Sequence, residues 1–172
     1  DLYAARVQAI KTQMPHACIG VDVIVGFPGE TEQDFLDTYH FLNALDISYL
    51  HVFTYSERAN TPASDMAGTV PVEERRRRNE MLSILSEKKR RYFYEQHVGQ
   101  VRPVLFEMHK DATLMSGFTD NYIKIEMSFD AALINEIRPV LLKRIKRNGQ
   151  VEGVLVQDYS VNTPNIQELN AY

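Results

Sequence analysis

Hydrophobic and polar positions in the first part of the chain predict a helix and then a strand. Apolar residues at helical spacing from Leu2 to Met14 predict a helix that ends before Pro15. The segment from Ile19 to Val25 is β-branched and almost wholly apolar, which is typical of a strand covered on both faces. Such strands occur in parallel sheets and barrels.

A second helix and a second strand follow after short connections. Thr31 and Asp34 have the spacing of a capping box, and we expect the helix to run to about Leu45. The segment from Tyr49 to Tyr55 predicts a strand. A strand, a helix and a strand joined in this way form a βαβ unit, so we expect two parallel neighbouring strands with a right-handed crossover.

The pattern changes twice more along the chain. Turn-forming residues from Ser56 to Val70 predict a loop, and a long helix is expected from Val72 to about His97. Its apolar stripe is Met81, Leu82, Leu85 and Tyr92. After Gly99 we expect four short strands, at 101–108, 121–127, 140–145 and 151–156. They predict a small closed β-barrel, which divides the chain into domains 1–98 and 99–172, with residues 157–172 as a loose tail.

Composition limits the possible classes of protein. No apolar run approaches the roughly 20 residues that cross a bilayer, so we expect no membrane span and a cytoplasmic location. A net charge of −4 argues against coating of nucleic acid by bulk electrostatics, although local basic clusters can still bind phosphate. The single cysteine, Cys18, provides neither an internal disulfide nor a thiolate metal cage.

Asp22 is an acidic residue within the apolar first strand. Because side chains alternate between faces, Asp22 and Ile24 share one face, and the valines at 21, 23 and 25 share the other. A carboxylate needs a partner or a wet cavity, so we place Asp22 and Ile24 toward a barrel lumen, with the valines packed under helices. The alternative is an aspartate at a strand end that bonds to nearby backbone.

A glycine-rich turn follows this strand. Gly26, Phe27, Pro28 and Gly29 allow a tight turn at the C-terminal edge of the strand, where α/β sheets and barrels bind ligands. On its own, such a turn is more often structural than part of a ligand site.

Two ordered motifs carry a family resemblance. Residues 21–31 (VDVIVGFPGET) and 51–63 (HVFTYSERANTPA) resemble the radical-SAM methylthiotransferase family. The long helix extends the likeness, and so does the β-rich segment after Gly99, which resembles a TRAM domain. The resemblance implies an α/β fold: the C-terminal portion of a partial (β/α) radical-SAM barrel followed by a small all-β TRAM (OB-like) barrel.

The resemblance also implies S-adenosylmethionine and two [4Fe–4S] clusters in a full-length parent protein. The C-x₃-C-x₂-C motif of the family is absent here, as are the three cysteines of its N-terminal domain, and Cys18 matches none of them. We therefore expect a fragment that holds no metal, contains no catalytic residue and is inactive alone.

The resemblance suggests cofactor-binding residues on both strands. Ile24 and Gly26 match the position that packs against the adenine of S-adenosylmethionine, as an apolar wall with a glycine that allows close approach. His51, Phe53 and Tyr55 share a face and would line a nucleoside pocket; packing in the core is the alternative. The expected cofactor-binding residues are Asp22, Ile24, Gly26, Phe53 and Tyr55.

The loop of the second motif departs from the family at one position. Asn60 stands where the family usually has glycine, and asparagine is the best other residue for the left-handed region. Arg58 in this loop suits contact with an anion and is an expected RNA-binding residue, whereas an exposed pair with Glu57 is the alternative.

Two basic clusters are candidates for contact with RNA. Lys143, Arg144, Lys146 and Arg147 surround Asn148-Gly149, a strong hairpin signal, and form the preferred contact with a tRNA anticodon stem-loop. An ordinary soluble turn is the alternative. The four arginines 75–78 are interpreted as a solvated surface from which one or two residues reach RNA.

The expected function of the parent is methylthiolation, at C2, of a modified adenosine next to the anticodon. The Tyr-Ser-Glu-Arg segment most resembles the branch that acts on threonylcarbamoyladenosine. The alternatives are the isopentenyladenosine branch, a branch that modifies an aspartate of a ribosomal protein, and a non-catalytic RNA-binding module.

The oligomeric state stays open at this point. A strand at Ile19 with an exposed edge favours self-association, whereas capping by the Leu2–Met14 helix favours a monomer.

Overall fold

The structure, a computed structural model, describes residues 2–107 and 113–156. The chain divides into two compact units, Asp1–Gln96 and His97–Tyr172. The first unit contains helices α1 (Leu2–Gln13), α2 (Glu32–Ala44) and α3 (Val72–Glu95), strands β1 (Gly20–Val25) and β2 (Tyr49–Thr54), and a 3₁₀ helix at Pro62–Asp65.

The predicted βαβ unit is present in the first unit. Strands β1 and β2 pair in parallel, in a register that runs from Gly20 opposite Tyr49 to Val25 opposite Thr54. The capping box is also confirmed, since Thr31 Oγ1 accepts a bond from Asp34 N and Asp34 Oδ2 accepts one from Thr31 N. The side chain of residue 34 therefore fixes the start of α2.

The core of the first unit lies on one face of this two-stranded sheet. Val21 and Val25 of β1 are buried there, as the alternation predicts. The buried core cluster is Val7, Val21, Val25, Phe35, Leu42, Leu45, Ile47, Leu50, Leu82 and Leu85. Buried Ser86 ties α3 to β2, because its Oγ accepts a bond from Leu50 N and donates one to Leu50 O.

The expectation of a strand covered on both faces is wrong for the described chain. Asp22 and Ile24 are exposed, and Ile24 keeps 58% of its surface accessible. Tyr92, which the pattern includes in the apolar stripe of the long helix, is 63% exposed. The sheet thus has one covered face and one open face.

The second unit is the predicted closed barrel, with five strands where the pattern predicts four. The strands are β3 (Val101–Glu107), β4 (Leu114–Thr119), β5 (Lys124–Ser128), β6 (Ile137–Ile145) and β7 (Val151–Leu155). They close in the order β3-β4-β5-β7-β6, and the β5–β7 pair is parallel while the others are antiparallel.

Strand β4 has no counterpart in the sequence prediction. Its sequence, LMSGFT, contains serine and glycine, which favour turns and break the alternation of a strand. Gly117 is needed there because a Cβ atom would lie 2.4 Å from the carbonyl oxygen of Leu105 on β3. The hydrophobic pattern does not show this close approach of the two backbones.

Two of the predicted turns are confirmed. Asn60 has a φ of 63°, in the left-handed region that asparagine tolerates. Asn148 and Gly149 lie in the hairpin between β6 and β7, where Gly149 has a φ of 80°. The predicted loose tail, residues 157–172, lies outside the described residues.

Candidate cofactor pocket and basic hairpin

The open face of the sheet brings together four predicted side chains. In the parallel register Asp22 lies opposite His51, and Ile24 lies opposite Phe53. Phe53 is 52% exposed, so it does not pack in the core. Two large apolar side chains thus stand side by side in the open, which is typical of a binding surface.

A cavity of about 420 Å³ adjoins this face, with a mainly apolar wall. Its lining residues are Ile24, Phe53, Thr54, Tyr55, Ser56, Arg58, Thr61 and Ala63. Four of the predicted site residues therefore meet here: Ile24, Phe53, Tyr55 and Arg58. Asp22 and Gly26 are not among the lining residues.

Tyr55 is held by two neighbours at the end of β2. Its ring packs edge-on against Phe27, with centroids 5.3 Å apart, and the guanidinium of Arg75 lies 5.5 Å from its centroid. The Tyr55 hydroxyl is buried and has no hydrogen-bond partner among the described residues. An unpaired buried hydroxyl costs about 1–3 kcal/mol, and a ligand in the adjoining cavity could provide its partner.

Arg75 is a structural residue of the first unit, with only 4% of its surface exposed. Its Nε donates to the carbonyl of Val70 at 2.7 Å, and its Nη1 donates to the carbonyl of Tyr55 at 3.1 Å. Its Nη2 donates to Glu57 Oε1 at 2.5 Å, and this hydrogen bond lowers the pKa of Glu57. Arg75 therefore fixes both ends of the loop that lines the cavity.

The side chain of Arg75 also explains Gly26. A Cβ atom at residue 26 would lie 2.4 Å from Arg75 Cγ, and the φ of Gly26 is 78°. The absence of a side chain at 26 thus makes room for the arginine. The adenine contact expected of Gly26 stays a prediction.

Arg78 has the same role for the glycine-rich turn. It is 3% exposed, and its Nη1 donates to Glu30 Oε2 at 2.6 Å and to the Glu30 carbonyl at 3.1 Å. The same Glu30 oxygen accepts a bond from Gly26 N at 2.6 Å. The interpretation of the four arginines as a solvated surface is wrong for Arg75 and Arg78.

The two loops that Arg75 and Arg78 anchor also touch each other. Gly29 N donates to the Gly68 carbonyl at 2.8 Å. A Cβ atom at Gly68 would lie 3.1 Å from the Gly29 backbone. The glycine-rich turn and the cavity loop are therefore joined through backbone.

Arg58 is exposed at the rim of the cavity. The alternative of a pair with Glu57 is wrong, because Glu57 binds Arg75 instead. No ion pair links Arg58 to another residue in the described ranges, although its carbonyl accepts a bond from Thr61 Oγ1. Its charge is thus directed to no described carboxylate.

The basic hairpin, defined as Lys143, Arg144, Lys146, Arg147, Asn148 and Gly149, is less positive than its sequence indicates. Lys143 and Arg144 bind Glu152 at 3.3 and 2.5 Å. Lys146 pairs with Glu126, which also accepts a bond from Asn148 Nδ2 at 3.1 Å. Hydrogen bonds from Lys146 and Arg144 lower the pKa values of Glu126 and Glu152, respectively. Among its bases, Arg147 alone forms no ion pair with a described residue.

Comparison with curated proteins decides the family. The chain is 33% identical over 141 residues to threonylcarbamoyladenosine tRNA methylthiotransferase of Bacillus subtilis, covering 80% of this chain and 31% of that protein. The protein of the same name from Aquifex aeolicus is 40% identical over 125 residues, covering 72% and 29%. A tRNA-2-methylthio-N(6)-dimethylallyladenosine synthase from Desulfitobacterium hafniense is 30% identical over 145 residues, covering 83% and 32%.

The chain belongs to the tRNA methylthiotransferase family. It spans about a third of the length of the curated methylthiotransferases it matches. A search of protein-family models gave no match.

The sequence provides too few cysteines to ligate an iron–sulfur cluster. Such clusters are held by cysteine thiolates, and the sequence has one cysteine, half-buried Cys18, whose pKa is raised by burial. In residues 2–107 and 113–156, no group of three or more His, Cys, Asp or Glu could hold a metal ion. The same ranges contain no helix long and apolar enough to cross a membrane.

Several residues around the cavity are absent from the sequence prediction. Thr54, Ser56, Thr61 and Ala63 line the cavity, and Arg75 and Arg78 hold its loops. The burial of the two arginines could have been predicted from their spacing. Positions 75, 78, 82 and 85 lie on one side of a helix, and Leu82 and Leu85 are buried. Arginines on the same stripe as core leucines face the sheet.

Proposed function

We propose that this chain is part of a tRNA methylthiotransferase that modifies an adenosine next to the anticodon. Residues 1–98 would be the C-terminal portion of a partial (β/α) radical-SAM barrel, and residues 99–172 a TRAM barrel. The observation that carries the proposal is the homology to tRNA methylthiotransferases over 72% to 83% of the chain. A cytoplasmic location is part of the proposal.

The open face of the first unit suits S-adenosylmethionine. Ile24 and Phe53 offer apolar surface to the adenine, and the unpaired Tyr55 hydroxyl offers a hydrogen bond. Arg58 at the rim offers a positive charge to an anionic group, and it stays a proposed contact for RNA phosphate. Asp22 lies two residues before Ile24 on the same face of β1, where its carboxylate suits a ribose hydroxyl.

The radical chemistry needs groups that this chain does not contain. In a parent protein, S-adenosylmethionine and two [4Fe–4S] clusters would supply the radical chemistry of methylthiolation. With Cys18 as the single cysteine, the residues present do not fit either cluster. The chain alone is therefore proposed to be inactive, contributing one wall of the pocket.

The second unit is the proposed RNA-binding part. Small five-stranded barrels bind oligonucleotides on their surfaces, and this barrel carries the basic hairpin between β6 and β7. Four bases there face two carboxylates, Glu126 and Glu152, so the hairpin keeps a positive charge. That charge can neutralise phosphate of a tRNA anticodon stem-loop.

The proposed nucleoside is threonylcarbamoyladenosine, modified at C2. The relatives named for that substrate reach 40% identity, whereas the dimethylallyladenosine synthases reach 35%. Dimethylallyladenosine is therefore the second candidate. A ribosomal-protein substrate has no comparable support among these relatives.

RNA binding by this chain tests the proposal. Fluorescence anisotropy would compare the binding of an anticodon stem-loop with that of an unrelated RNA hairpin. The proteins are the unmutated chain and a variant in which four residues are changed to glutamate: Lys143, Arg144, Lys146 and Arg147. We expect salt-sensitive binding that the variant loses, because each neutralised phosphate releases counterions.

A second variant separates lost contacts from a damaged fold. Reversal of Glu152 and Glu126 to lysine together with the four glutamates would restore the ion pairs without restoring the positive charge. This variant should fold and should not bind RNA. Binding that is indifferent to the reversal would assign tRNA recognition to other parts of the parent and would contradict the proposed role of the barrel.

A further inference from the structure

A pair of stacked aromatic rings lies on the surface of the barrel. Tyr122 is 59% exposed, and its ring stacks on Phe118 with centroids 4.8 Å apart and an angle of 24° between the planes. Large aromatic side chains are usually buried in a core or an interface. The Phe118–Tyr122 pair belongs to none of the sites described above.

The backbone holds Tyr122 in an unusual conformation. Its φ is 67°, in the left-handed region that costs about 1–2 kcal/mol for a residue other than glycine. Tyr122 N donates to the carbonyl of Thr119 at 3.0 Å, and Ile123 N donates to Thr119 Oγ1 at 2.8 Å. Buried Thr119 in turn donates from Oγ1 to Asn121 Oδ1 at 2.7 Å. A rigid turn therefore keeps an aromatic ring exposed, and such strain concentrates at functional positions.

Positive charge continues from the aromatic pair toward the basic hairpin. Phe118 lies opposite Lys124 in the β4–β5 register, so their side chains share a face of the sheet. Glu126 lies on the same face of β5, about 7 Å farther along the strand. The pKa of Glu126 is lowered by Lys146 of the hairpin and, to a smaller extent, by the charge of Lys124. The face thus runs from two rings through Lys124 to the hairpin.

A nearby carboxylate does not oppose this charge. Asp120 accepts two hydrogen bonds from the guanidinium of Arg102, at 2.9 and 3.1 Å. This bidentate pair neutralises the acid that precedes Asn121 and Tyr122 in the turn. An anionic ligand can therefore approach the rings.

We propose that the Phe118–Tyr122 pair is a stacking site for an unpaired RNA base. The phosphates beside that base would lie along Lys124 and the basic hairpin. Exposed aromatic rings next to a row of cations are the usual means of binding single-stranded nucleic acid, because every base has a π face. Bases within a duplex are already stacked and cannot reach the ring. The proposal rests on RNA binding by the barrel and adds the base that it recognises by stacking.

The variants follow from the backbone conformation. Tyr122→Asn removes the ring but keeps a residue that tolerates a positive φ, so the turn should still form. Tyr122→Phe keeps the ring and removes the hydroxyl. Tyr92→Ala, in helix α3 of the first unit, removes a tyrosine of similar exposure, 63%, and is the matched control.

The measurement is binding of two RNA probes to this chain. One probe is a stem with an unpaired seven-nucleotide loop that carries 2-aminopurine, and the other is a blunt duplex of equal charge. We expect Tyr122→Asn to weaken loop binding about tenfold and to abolish quenching of the 2-aminopurine. Tyr122→Phe and Tyr92→Ala should bind the loop probe like the unmutated chain, and binding of the duplex probe should be unchanged in all variants.

Three results would overturn the stacking site. If Tyr122→Asn bound the loop probe as tightly as the unmutated chain, the ring would have no role in binding. An equal loss on loop and duplex would show that the turn acts on charge or fold and not on a base. Loss of self-association in sedimentation, with RNA binding unchanged, would mean that the ring packs against a second copy of the chain.

The same experiment separates this inference from the proposed function. Binding that is lost on reversal of the basic hairpin but kept in Tyr122→Asn would contradict stacking and leave the proposed role of the barrel intact. If the unmutated chain bound neither probe, both the stacking site and the proposed RNA-binding role of the barrel would be contradicted.

Discussion

The chain has two clusters of four basic residues that resemble each other in sequence and differ in structure. In helix α3, Arg75 and Arg78 are 4% and 3% exposed and bind backbone carbonyls and carboxylates. In the basic hairpin, Lys143 and Arg144 are exposed and share Glu152. The helical arginines hold two loops in place, whereas the hairpin presents charge at the surface. A run of basic residues therefore does not by itself indicate a nucleic-acid site.

Removal of Arg75 gives the strongest test of this contrast. Arg75→Met leaves the carbonyls of Val70 and Tyr55 without their donor and Glu57 without its partner. We expect a loss of about 2–3 kcal/mol in the free energy of unfolding, since hydrogen bonds to charged groups contribute about 1.5–3 kcal/mol. Urea unfolding followed by circular dichroism at 222 nm would measure it, because the described α-helices lie in the first unit.

The matched control is the next residue along the helix. Arg76 is exposed and has no ion pair with a described residue, so Arg76→Met should change the free energy of unfolding by less than about 0.5 kcal/mol. Equal effects of the two substitutions would mean that Arg75 is not a structural residue.

Gly26 gives a second test, from the side of the loop. Gly26→Ala places a methyl group 2.4 Å from Arg75 Cγ and forces alanine into a φ of 78°. We expect a loss of about 2 kcal/mol or more, because backbone strain of about 1–2 kcal/mol adds to the displacement of the arginine.

Gly29→Ala is the control for backbone strain alone. Its φ is 89°, and no atom lies within 4 Å of the added methyl group. It should cost less than Gly26→Ala in the same urea unfolding. A larger loss at residue 29 would contradict the packing role assigned to Arg75.

Acid should weaken the helical cluster before any loss of the core. A hydrogen bond from Arg77 lowers the pKa of Glu74 from 4.5 to about 2, and one from Arg75 lowers the pKa of Glu57. A carboxylate with a lowered pKa in the folded state stabilises that state above its ordinary pKa, and the effect is lost as the pH falls. The urea midpoint should therefore decrease between about pH 5 and pH 2.

Glu74→Gln checks the origin of this pH dependence. It removes one of the titrating groups, so the decrease in the urea midpoint should become shallower. Glu73→Gln, at an exposed residue without an ion pair in the described part of the chain, should leave the slope unchanged. If the urea midpoint fell equally steeply with pH in the unmutated chain and in Glu74→Gln, the Glu74 carboxylate would not be a cause of the pH dependence.

The smallest expected effect on stability concerns Arg147 in the basic hairpin. Arg147→Ala removes a base that has no ion pair with a described residue. Its free energy of unfolding should therefore stay within about 0.5 kcal/mol of that of the unmutated chain. Its RNA affinity should fall a few-fold, with a salt slope smaller by about 1, as expected for one lost phosphate contact.

Lys146→Ala separates charge from pairing in the same hairpin. It leaves buried Glu126 with Asn148 as its remaining partner in the hairpin, so the barrel should lose stability as well as charge. Anisotropy would measure RNA affinity and thermal unfolding would measure stability for the two variants. If Arg147→Ala were less stable than Lys146→Ala, the distinction between an unpaired and a paired base in the hairpin would be contradicted.

Much of the pocket could be predicted from local rules. Alternation within each strand groups Ile24 with Asp22 and Phe53 with Tyr55, and the register shows that Ile24 and Phe53 lie opposite each other. The burial of Arg75 and Arg78 was missed because a run of four arginines covers all sides of a helix. Strand β4 was missed because its serine and glycine break the alternation, and the close approach of Leu105 to Gly117 cannot be seen in the local sequence.

The contact between Gly29 and Gly68 has a consequence for dynamics. The amide of Gly29 bonds to the Gly68 carbonyl at 2.8 Å, and each loop is also anchored to α3 by its own arginine. Neither loop can open widely unless this shared bond breaks. The amide hydrogen of Gly29 should therefore exchange with solvent deuterium only when the two loops separate, so that its exchange rate reports the opening of either loop.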